Sequence, residues 1–277
     1  MANVIHSNDP ELEGAVYRLY RDFFDMAEKK RRWNLREDIP WDQCNRSLAP
    51  AIADVVESFC AVELYLPDYL SKTIPLVRPS RGRTWFYANW GYEESKHSLA
   101  LNDWLLRAGM RTQEQMADLD KMVFEREWNL PRDNSLGMIV YAMVQELATW
   151  LNYRNLRQRV EDCGGDPALS KLLMLIQVDE RAHHSFFLDC VKLFLKRDRD
   201  ATLEQLRAVM NGFMMPAIHE LAGSSARVAQ IRSLRIFDLD IYYEEVYQPL
   251  LSELGVTWAE MRNRKSARKS QVSIVPS

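Results

Sequence analysis

Four glutamates and two histidines in this chain repeat one pattern, in which a single glutamate is followed some thirty residues later by Glu-x-x-His. The first copy consists of Glu63, Glu94 and His97, and the second consists of Glu146, Glu180 and His183. Residues three positions apart share one face of an α-helix, so each pair directs a carboxylate and an imidazole to the same point. Two single glutamates and two such pairs form the ligand set of a carboxylate-bridged di-iron or di-manganese site in a four-helix bundle. Without thiolates, this set fits iron or manganese better than structural zinc.

A turn signal lies near the middle of each copy, where a helical hairpin would reverse direction. The first signal is the segment 78–82, which contains a proline and a glycine. The second is the segment 161–167, in which Asp166 can cap a helix that Pro167 opens. Each copy therefore predicts an antiparallel helical hairpin whose ligand residues lie side by side.

All six residues fall on apolar helical stripes, from which charged side chains are normally excluded. The stripe around Glu63 contains Val56 and Phe59, and the stripe around Glu180 contains Ile176 and Phe187. A buried carboxylate is costly unless it is paired or binds a metal. A single Glu-x-x-His segment is common by chance and most often marks a solvated helix face. Two copies at matching offsets on apolar stripes favour a metal site instead.

Composition favours an all-α chain, and together with the ligand pattern it predicts a ferritin-like four-helix bundle with additional helices and a di-metal site in the bundle core. The chain has 277 residues and 47% hydrophobic residues, with only 10 glycines and 11 prolines, and no alternating strand pattern is evident. Residues 1–265 are predicted to form one domain and residues 266–277 a disordered tail. A helix in 110–134, opened by a capping box at Thr112 to Gln115, would carry the crossover between the hairpins. The predicted helices span 11–32, 48–74, 83–108, 112–127, 135–161, 167–196, 200–221, 225–234, 239–252 and 256–265.

Several protein classes are disfavoured by the sequence. The first residues contain no apolar core of a signal peptide, and no run of eighteen apolar residues exists, so we expect a cytoplasmic protein without a membrane span. The net charge of −3 argues against a nucleic-acid partner. The basic segment 262–269 is better explained as a solvated terminus than as a binding arm. The four cysteines have no Cys-x-x-Cys spacing and are expected to be free thiols.

Four segments resemble the motifs of the soluble acyl-acyl-carrier-protein desaturases. Residues 63–69, Glu-Leu-Tyr-Leu-Pro-Asp-Tyr, are similar to the family's Glu-Glu-Ala-Leu-Pro-Thr-Tyr. Residues 93–97 and 179–183 match its Glu-Glu-x-x-His and Asp-Glu-x-x-His, and residues 145–149 resemble its Gln-Glu-Arg-Ala-Thr. Trp33 followed by Asp38-Ile39-Pro40 is a looser match to its Trp before Asp-Phe-Leu-Pro. The resemblance places the six candidate ligands on the family's ligands to two iron ions.

The resemblance also implies roles for residues outside the ligand set. Trp33, Asp179 and His97 would form a hydrogen-bonded chain from the surface toward the metals, although Trp33 could instead be a core aromatic residue. Thr149 would lie on the oxygen-binding side of the metals, although it could also bond back to its own helix. Two residues depart from the family pattern, Leu64 in place of a second glutamate and His184 in place of an acidic residue. His184 is expected at the surface or behind the ligands, not as a seventh ligand.

The implied activity is the introduction of a cis double bond into a saturated acyl chain, using O2 and electrons from ferredoxin. The partners would be an acyl carrier protein carrying the substrate, ferredoxin and a second copy of the chain in a homodimer. The carrier is acidic in this family, so a basic docking surface is expected. Two basic clusters are candidates: Lys72, Arg78, Arg81 and Arg83 at the first hairpin turn, and Lys29, Lys30, Arg31 and Arg32 at the end of the first helix.

Three other functions share part of this pattern. A related di-iron oxygenase would use the same ligands and hydroxylate a carrier-bound acyl chain. A radical subunit like that of ribonucleotide reductase would need a tyrosine beside the metals, for which Tyr153 and Tyr92 are candidates. An iron-storage or iron-oxidising protein would be a shorter bundle without Thr149 and the Trp33 chain. The depth of the acyl pocket, and with it the position of the double bond, does not follow from the sequence.

Overall fold

The computed structural model describes residues 9–215 and 217–262, and within these residues it contains helices and no strand. The prediction of an all-α fold is therefore confirmed. No helix of the described part of the chain is both long and apolar enough to cross a membrane. The helices are α1 Pro10–Met26, α2 Pro50–Glu63, α3 Leu66–Val77, α4 Arg81–Arg107, α5 Gln113–Phe124, α6 Ser135–Asp162, α7 Pro167–Arg197, α8 Arg199–Met210, α9 Ser224–Ser233, α10 Leu239–Ile241, α11 Gln248–Leu254 and α12 Trp258–Arg262.

Helices α2, α4, α6 and α7 form the bundle that positions the candidate ligands. Helix α2 packs along α4, and α6 packs along α7, so each copy of the sequence pattern forms one hairpin of the bundle. Contacts between α4 and α7 and between α2 and α6 join the two hairpins. Helix α1 covers α4 and α7, α8 covers α6 and α7, and α9 lies against α2. The ligand-bearing helices are thus enclosed by shorter helices on several sides.

The helix caps predicted for the second hairpin and for the crossover are present in the structure. The Asp166 carboxylate accepts a hydrogen bond from the Leu169 backbone N–H at 2.8 Å and caps α7, which Pro167 opens. The same carboxylate accepts from the Trp104 indole at 2.9 Å, so the cap also ties α7 to α4. In the crossover, Thr112 and Gln115 form the predicted capping box of α5.

Two predicted helix boundaries are wrong. The helix predicted over 48–74 is divided, because α2 ends at Glu63 and α3 begins at Leu66. Proline has no backbone N–H and is tolerated in the first helical turn, so Pro67 fits a new helix better than the interior of a continuous one. The helix predicted over 200–221 ends at Met210, where Asn211 and Gly212 form a turn. The predicted tail 266–277 lies outside the described residues, and the single domain of 1–265 stays a prediction.

Candidate metal centre

The structure brings all six candidate ligands together in the core of the bundle. Their ligand atoms form two groups, within each of which the atoms lie no more than 4.8 Å apart. Glu94 and Glu180 belong to both groups, a placement suited to carboxylates that bridge two ions. The first group is Glu63, Glu94, His97 and Glu180, and the second is Glu94, Glu146, Glu180 and His183.

Several polar atoms of the cluster point inward and have no hydrogen-bond partner among the described residues. They are Glu94 Oε1, Glu146 Oε2, Glu180 Oε1 and His183 Nδ1, each of them buried. His183 Nδ1 lies 3.1 Å from Glu94 Oε1 and 3.4 Å from Glu146 Oε2 without hydrogen-bond geometry to either. Buried polar groups are normally satisfied, because an unpaired one is costly. Oxygen and nitrogen atoms converging in this way fit a pair of metal ions, which would satisfy them.

The two imidazoles are held from behind by carboxylates that precede the opposite Glu-x-x-His motif. His97 on α4 has its Nε2 atom 3.2 Å from Asp179 Oδ2 on α7. His183 on α7 has its Nε2 atom 2.7 Å from Glu93 Oε2 on α4. In both residues Nδ1 therefore faces the cluster and Nε2 faces an outer carboxylate, the arrangement that fixes the orientation of a metal-binding histidine. The pairing is crossed, so each hairpin orients a ligand of the other.

A segment after α1 completes this outer layer. Residues Ala27–Arg31 form a turn of π-helix, and from it the Arg31 guanidinium binds Asp179 and lies 3.0 Å from Glu93 Oε1. Arg32 also binds Glu93. Trp33 donates its indole N–H to Asp179 Oδ2 at 2.7 Å, so Trp33, Asp179 and His97 form one hydrogen-bonded chain. Trp33 is only 7% exposed. The hydrogen bonds of the predicted chain are present, and a functional role for the chain stays a prediction.

The two single glutamates each accept a hydrogen bond from an aromatic side chain. The Tyr153 hydroxyl donates to Glu63 Oε1 at 2.7 Å, and the Trp90 indole N–H donates to Glu146 Oε1 at 3.1 Å. Each bond occupies one carboxylate oxygen and leaves the other for the centre of the cluster. Of the two tyrosines considered as radical sites, Tyr153 is thus beside the cluster. Tyr92 is 55% exposed, whereas the residues of the cluster are buried.

Burial and mutual repulsion shape the ionisation of the cluster. Burial, with the charges of neighbouring carboxylates, raises the pKa of Glu63 and Glu146 well above the usual range. At Glu94 burial acts in the same direction, but His97 and His183 outweigh it and lower the pKa to about 2. Burial would lower the pKa of both histidines, yet the surrounding carboxylates raise it well above the usual value. These shifts favour protons that neutralise the cluster when no metal is bound, and two divalent cations would supply that positive charge instead.

A cavity of about 320 Å³ adjoins the cluster on the side of α2 and α6. Glu63, Glu94 and Glu180 line its inner end, and Thr149 lies on its wall one turn after Glu146. Most of the remaining lining is apolar or aromatic, and much of it comes from residues 213–242. Sequence reasoning found no function for this C-terminal region, because its contribution is an apolar surface without a spaced motif. A cavity of this size and character is typical of a small-molecule site.

Two further residues with contacts at the centre were not assigned a role from the sequence. In the sequence, Glu93 belongs to a recognisable pattern only as the first residue of Glu-Glu-x-x-His, and Arg31 belongs only to a basic cluster. The crossed pairing of the hairpins could have been found by noting that an acidic residue precedes both Glu-x-x-His motifs. His184 is completely buried and bonds through Nδ1 to the Met143 carbonyl at 2.8 Å. It lies outside both ligand groups, as expected, and its burial excludes the surface position, one of the two positions predicted for it.

The two basic clusters proposed as docking surfaces are largely engaged in internal contacts. Arg83 is buried and lies 2.5 Å from Glu13 Oε1, while Arg81 stacks over Trp85 at 4.0 Å. In the second cluster, Arg31 and Arg32 hold the outer carboxylates described above. The remaining members that are exposed are Arg78, Lys29 and Lys30.

Comparisons with known proteins identify the same family as the motifs. A family model described as fatty acid desaturase matches residues 63–273. The Mycobacterium tuberculosis protein DesA1, named as an acyl-[acyl-carrier-protein] desaturase, is 23% identical over 266 residues, covering 88% of this chain and 76% of DesA1. A chloroplastic stearoyl-[acyl-carrier-protein] 9-desaturase of Oryza sativa subsp. indica is 26% identical over 204 residues, covering 70% of this chain and 51% of the plant protein.

Two kinds of solved structure share the fold. DesA2 from Mycobacterium tuberculosis H37Rv, named as an acyl-ACP desaturase, has a TM-score of 0.64 and 18% identity, covering 89% of this chain and all of DesA2. An R2-like ligand-binding oxidase with a Mn/Fe cofactor has a TM-score of 0.59 and 17% identity, covering 91% of this chain and 96% of the oxidase. At these identities the structures establish the ferritin-like fold only. Because the family model spans most of the chain, the protein belongs to the fatty acid desaturase family, and its named relatives are acyl-acyl-carrier-protein desaturases.

Proposed function

We propose that the protein is a di-iron acyl-acyl-carrier-protein desaturase that introduces a cis double bond into a saturated acyl chain, using O2 and electrons from ferredoxin. The observation that carries the proposal is the apolar cavity whose inner end is formed by the candidate metal ligands. An acyl chain in this cavity would present a methylene group to the centre. The ligands would be Glu63, Glu94, His97, Glu146, Glu180 and His183.

Two bound iron ions would activate O2, which is the oxidant: it would take two hydrogen atoms from adjacent methylene groups and two electrons from the donor, and it would leave as water. The protein's own contribution is to hold the ligands and to position the chain. Glu94 and Glu180 would bridge the ions, because they belong to both ligand groups. Tyr153 and Trp90 would restrict how Glu63 and Glu146 bind, because each occupies one oxygen of its partner carboxylate.

The cavity wall would select which methylene pair reacts. Phe59, Tyr69 and Trp90 line the part near the cluster with rigid rings. Because neighbouring C–H bonds in a saturated chain are nearly identical, the reacting position depends on how the chain is held. Thr149 places a hydroxyl on the same wall and is proposed to act on the oxygen side of the metals.

Electrons would arrive from the side of α1. Trp33, Asp179 and His97 form the hydrogen-bonded chain there, whereas the cavity lies toward α2 and α6. This separation would let an electron donor and an acyl substrate bind at the same time. The ferredoxin donor, the homodimer and the cytoplasmic location remain predictions.

A hydroxylase with the same metal centre is the second candidate. Gln145, Thr149 and Asn152 place polar side chains on the cavity wall, which could hold a water molecule or a product oxygen near the cluster. The two reactions differ only after the first hydrogen is removed. The product therefore decides between them.

The proposal is tested by loading the protein with ferrous iron without oxygen and then adding air, reduced ferredoxin and a panel of saturated acyl carrier proteins. Mass spectrometry of the released acyl groups should show the loss of two hydrogen atoms. Glu146→Gln should abolish this product, while the control Glu161→Gln, at the exposed end of α6, should retain it. The gain of one oxygen atom would establish hydroxylation, and binding of iron without any acyl product would contradict both functions.

A further inference from the structure

The exposed part of the cavity lining belongs to the C-terminal region, which indicates that the cavity opens to the surface there. The exposed residues in its lining are Met214, His219, Arg232 and Leu239. Met214 is 64% exposed and Leu239 is 76% exposed, unusually high values for large apolar side chains beside a cavity. Exposed apolar side chains that border an apolar cavity are a feature of ligand-binding grooves.

Arg232 lies at this entrance, and its guanidinium group is available to bind a ligand. It forms no hydrogen bond or ion pair with any residue in the described ranges 9–215 and 217–262, and it is exposed. Arg227, on the same helix α9, is instead committed to α2, because its guanidinium donates to Glu57 at 2.8 Å and to Ser58 at 2.7 Å. The two arginines of α9 therefore have different roles: Arg227 holds α9 against α2, and Arg232 lines the cavity.

Asp238, the acidic residue at the entrance, forms a hydrogen bond with the backbone. Asp238 lines the cavity, and its carboxylate accepts a hydrogen bond from the Ile241 N–H at 2.9 Å as the cap of α10. Asparagine can make the same cap without the charge. Asp238 thus provides a way to alter the charge at the entrance while the local structure is kept.

We infer that the entrance is an anion subsite, in which Arg232 binds the anionic group of an amphiphile whose apolar chain occupies the cavity. A guanidinium suits this role because it forms paired, charge-assisted hydrogen bonds with carboxylate or phosphate. His219 is the second side chain at the entrance that can donate to an anion. The inference rests on the proposed function only in taking the apolar chain of the amphiphile to be an acyl chain. The anion is either the carboxylate of a free fatty acid or the phosphate of an acyl-phosphopantetheine thioester.

The test measures binding to the full chain by calorimetry, without oxygen or reductant, so that no turnover occurs. The probes are hexadecanoate, S-hexadecanoyl-4′-phosphopantetheine and the neutral alcohol hexadecanol. Arg232→Gln should weaken at least one anionic probe about tenfold or more and change hexadecanol less than about twofold. The control Arg235→Gln removes an exposed charge that does not line the cavity and should change none of the three. Asp238→Asn should tighten the anionic probes.

The probe that responds identifies the source of the anion, a free fatty acid or a carrier-derived arm. Unchanged thermal melting of Arg232→Gln would show that the variant is folded. The inference is overturned if Arg232→Gln weakens all three probes equally, if it weakens none, or if the anionic probes bind the wild type no more tightly than hexadecanol. Because no reaction takes place, the result is independent of whether the protein forms a double bond.

Discussion

At the scale of single residues, the side chains that bind the two histidine ligands from outside the cluster fix the geometry of the centre. Asp179 and Glu93 each bind the outer nitrogen of an imidazole from the opposite hairpin, and Arg31 contacts both carboxylates. Partners of this kind usually contribute strongly to metal affinity, because they fix the ring and the tautomer. The Arg31 side chain is only 7% exposed, so its charge acts mainly on these two carboxylates.

We predict that Asp179→Asn and Glu93→Gln each lower the affinity for ferrous iron about 10- to 100-fold at the ion bound by the affected histidine. The reason is that each variant removes the negative charge behind one imidazole while keeping the side-chain shape. Anaerobic iron titrations should show one weakened site and one nearly unchanged site in each variant. Asp189→Asn, on the exposed face of α7, is the matched control. Two sites of wild-type affinity in Asp179→Asn would contradict the prediction.

The sequence predicted the candidate metal ligands better than the residues that contact those ligands from outside the cluster. The four residues of the two Glu-x-x-His pairs follow from local spacing, because i and i+3 positions share a helix face. Glu63 and Glu146 follow from their matching offsets and from the apolar stripes on which they lie. The contacts of Glu93 and Arg31 depend on how α1, α4 and α7 pack, which no local spacing encodes. His184 shows the same limit, since its burial against the Met143 carbonyl depends on the contact between α6 and α7.

At the scale of elements, α1 approaches α4 so closely that one position requires glycine. A Cβ atom on Gly82 would lie 2.8 Å from the Tyr17 backbone nitrogen and 2.9 Å from the Val16 carbonyl carbon. Backbone atoms cannot move aside without shifting α1 itself. On Gly91, the same atom would meet the Leu70 side chain at 2.6 Å, and that side chain can change its rotamer.

We predict that Gly82→Ala lowers the free energy of unfolding by about 1–3 kcal/mol, because overpacking against the backbone outweighs the helix propensity of alanine. Gly91→Ala should lower the free energy of unfolding by less, since alanine gains about 1 kcal/mol of helix propensity and the Leu70 side chain can change its rotamer. Chemical denaturation of both variants measures the difference. Equal stability of the two variants would show that the α1 contact is not tight. Gly82→Ala should also loosen Trp33 and Arg31, which follow α1.

The helix boundaries show which element-scale features can be predicted. Capping residues with a local mechanism, such as Asp166 and the Thr112 capping box, were found correctly. The interruption after Glu63 was missed because the apolar periodicity continues through it, although Pro67 was the available signal. The early end of α8 at Met210 was missed for the same reason, despite Asn211 and Gly212.

At the scale of the whole molecule, the bundle divides the surroundings of the centre into two regions. Helix α1 and the following residues supply the hydrogen-bonded chain to the histidines. The segment 213–242 closes the cavity beside α2 and α6. The ferritin-like fold was predictable from the hairpin pattern. The cavity was not predictable, because it forms only when α9 and the irregular segments around it pack onto the bundle.

The metal ions should also contribute to global stability, because four carboxylates share one buried core. A ligand that binds only the folded protein stabilises it by about 2.7 kcal/mol at a concentration 100 times its dissociation constant. For a chain of this length, that corresponds to a rise in the melting temperature of roughly 5 °C or more. Anaerobic ferrous iron should produce this shift, and a chelator should reverse it. His183→Ala should reduce the shift, since it removes a ligand from one group and leaves the group of Glu63 and His97 complete. Glu253→Gln, on the surface of α11, should respond like the wild type. A melting temperature that does not depend on iron would contradict a metal centre in this core, whatever reaction the protein catalyses.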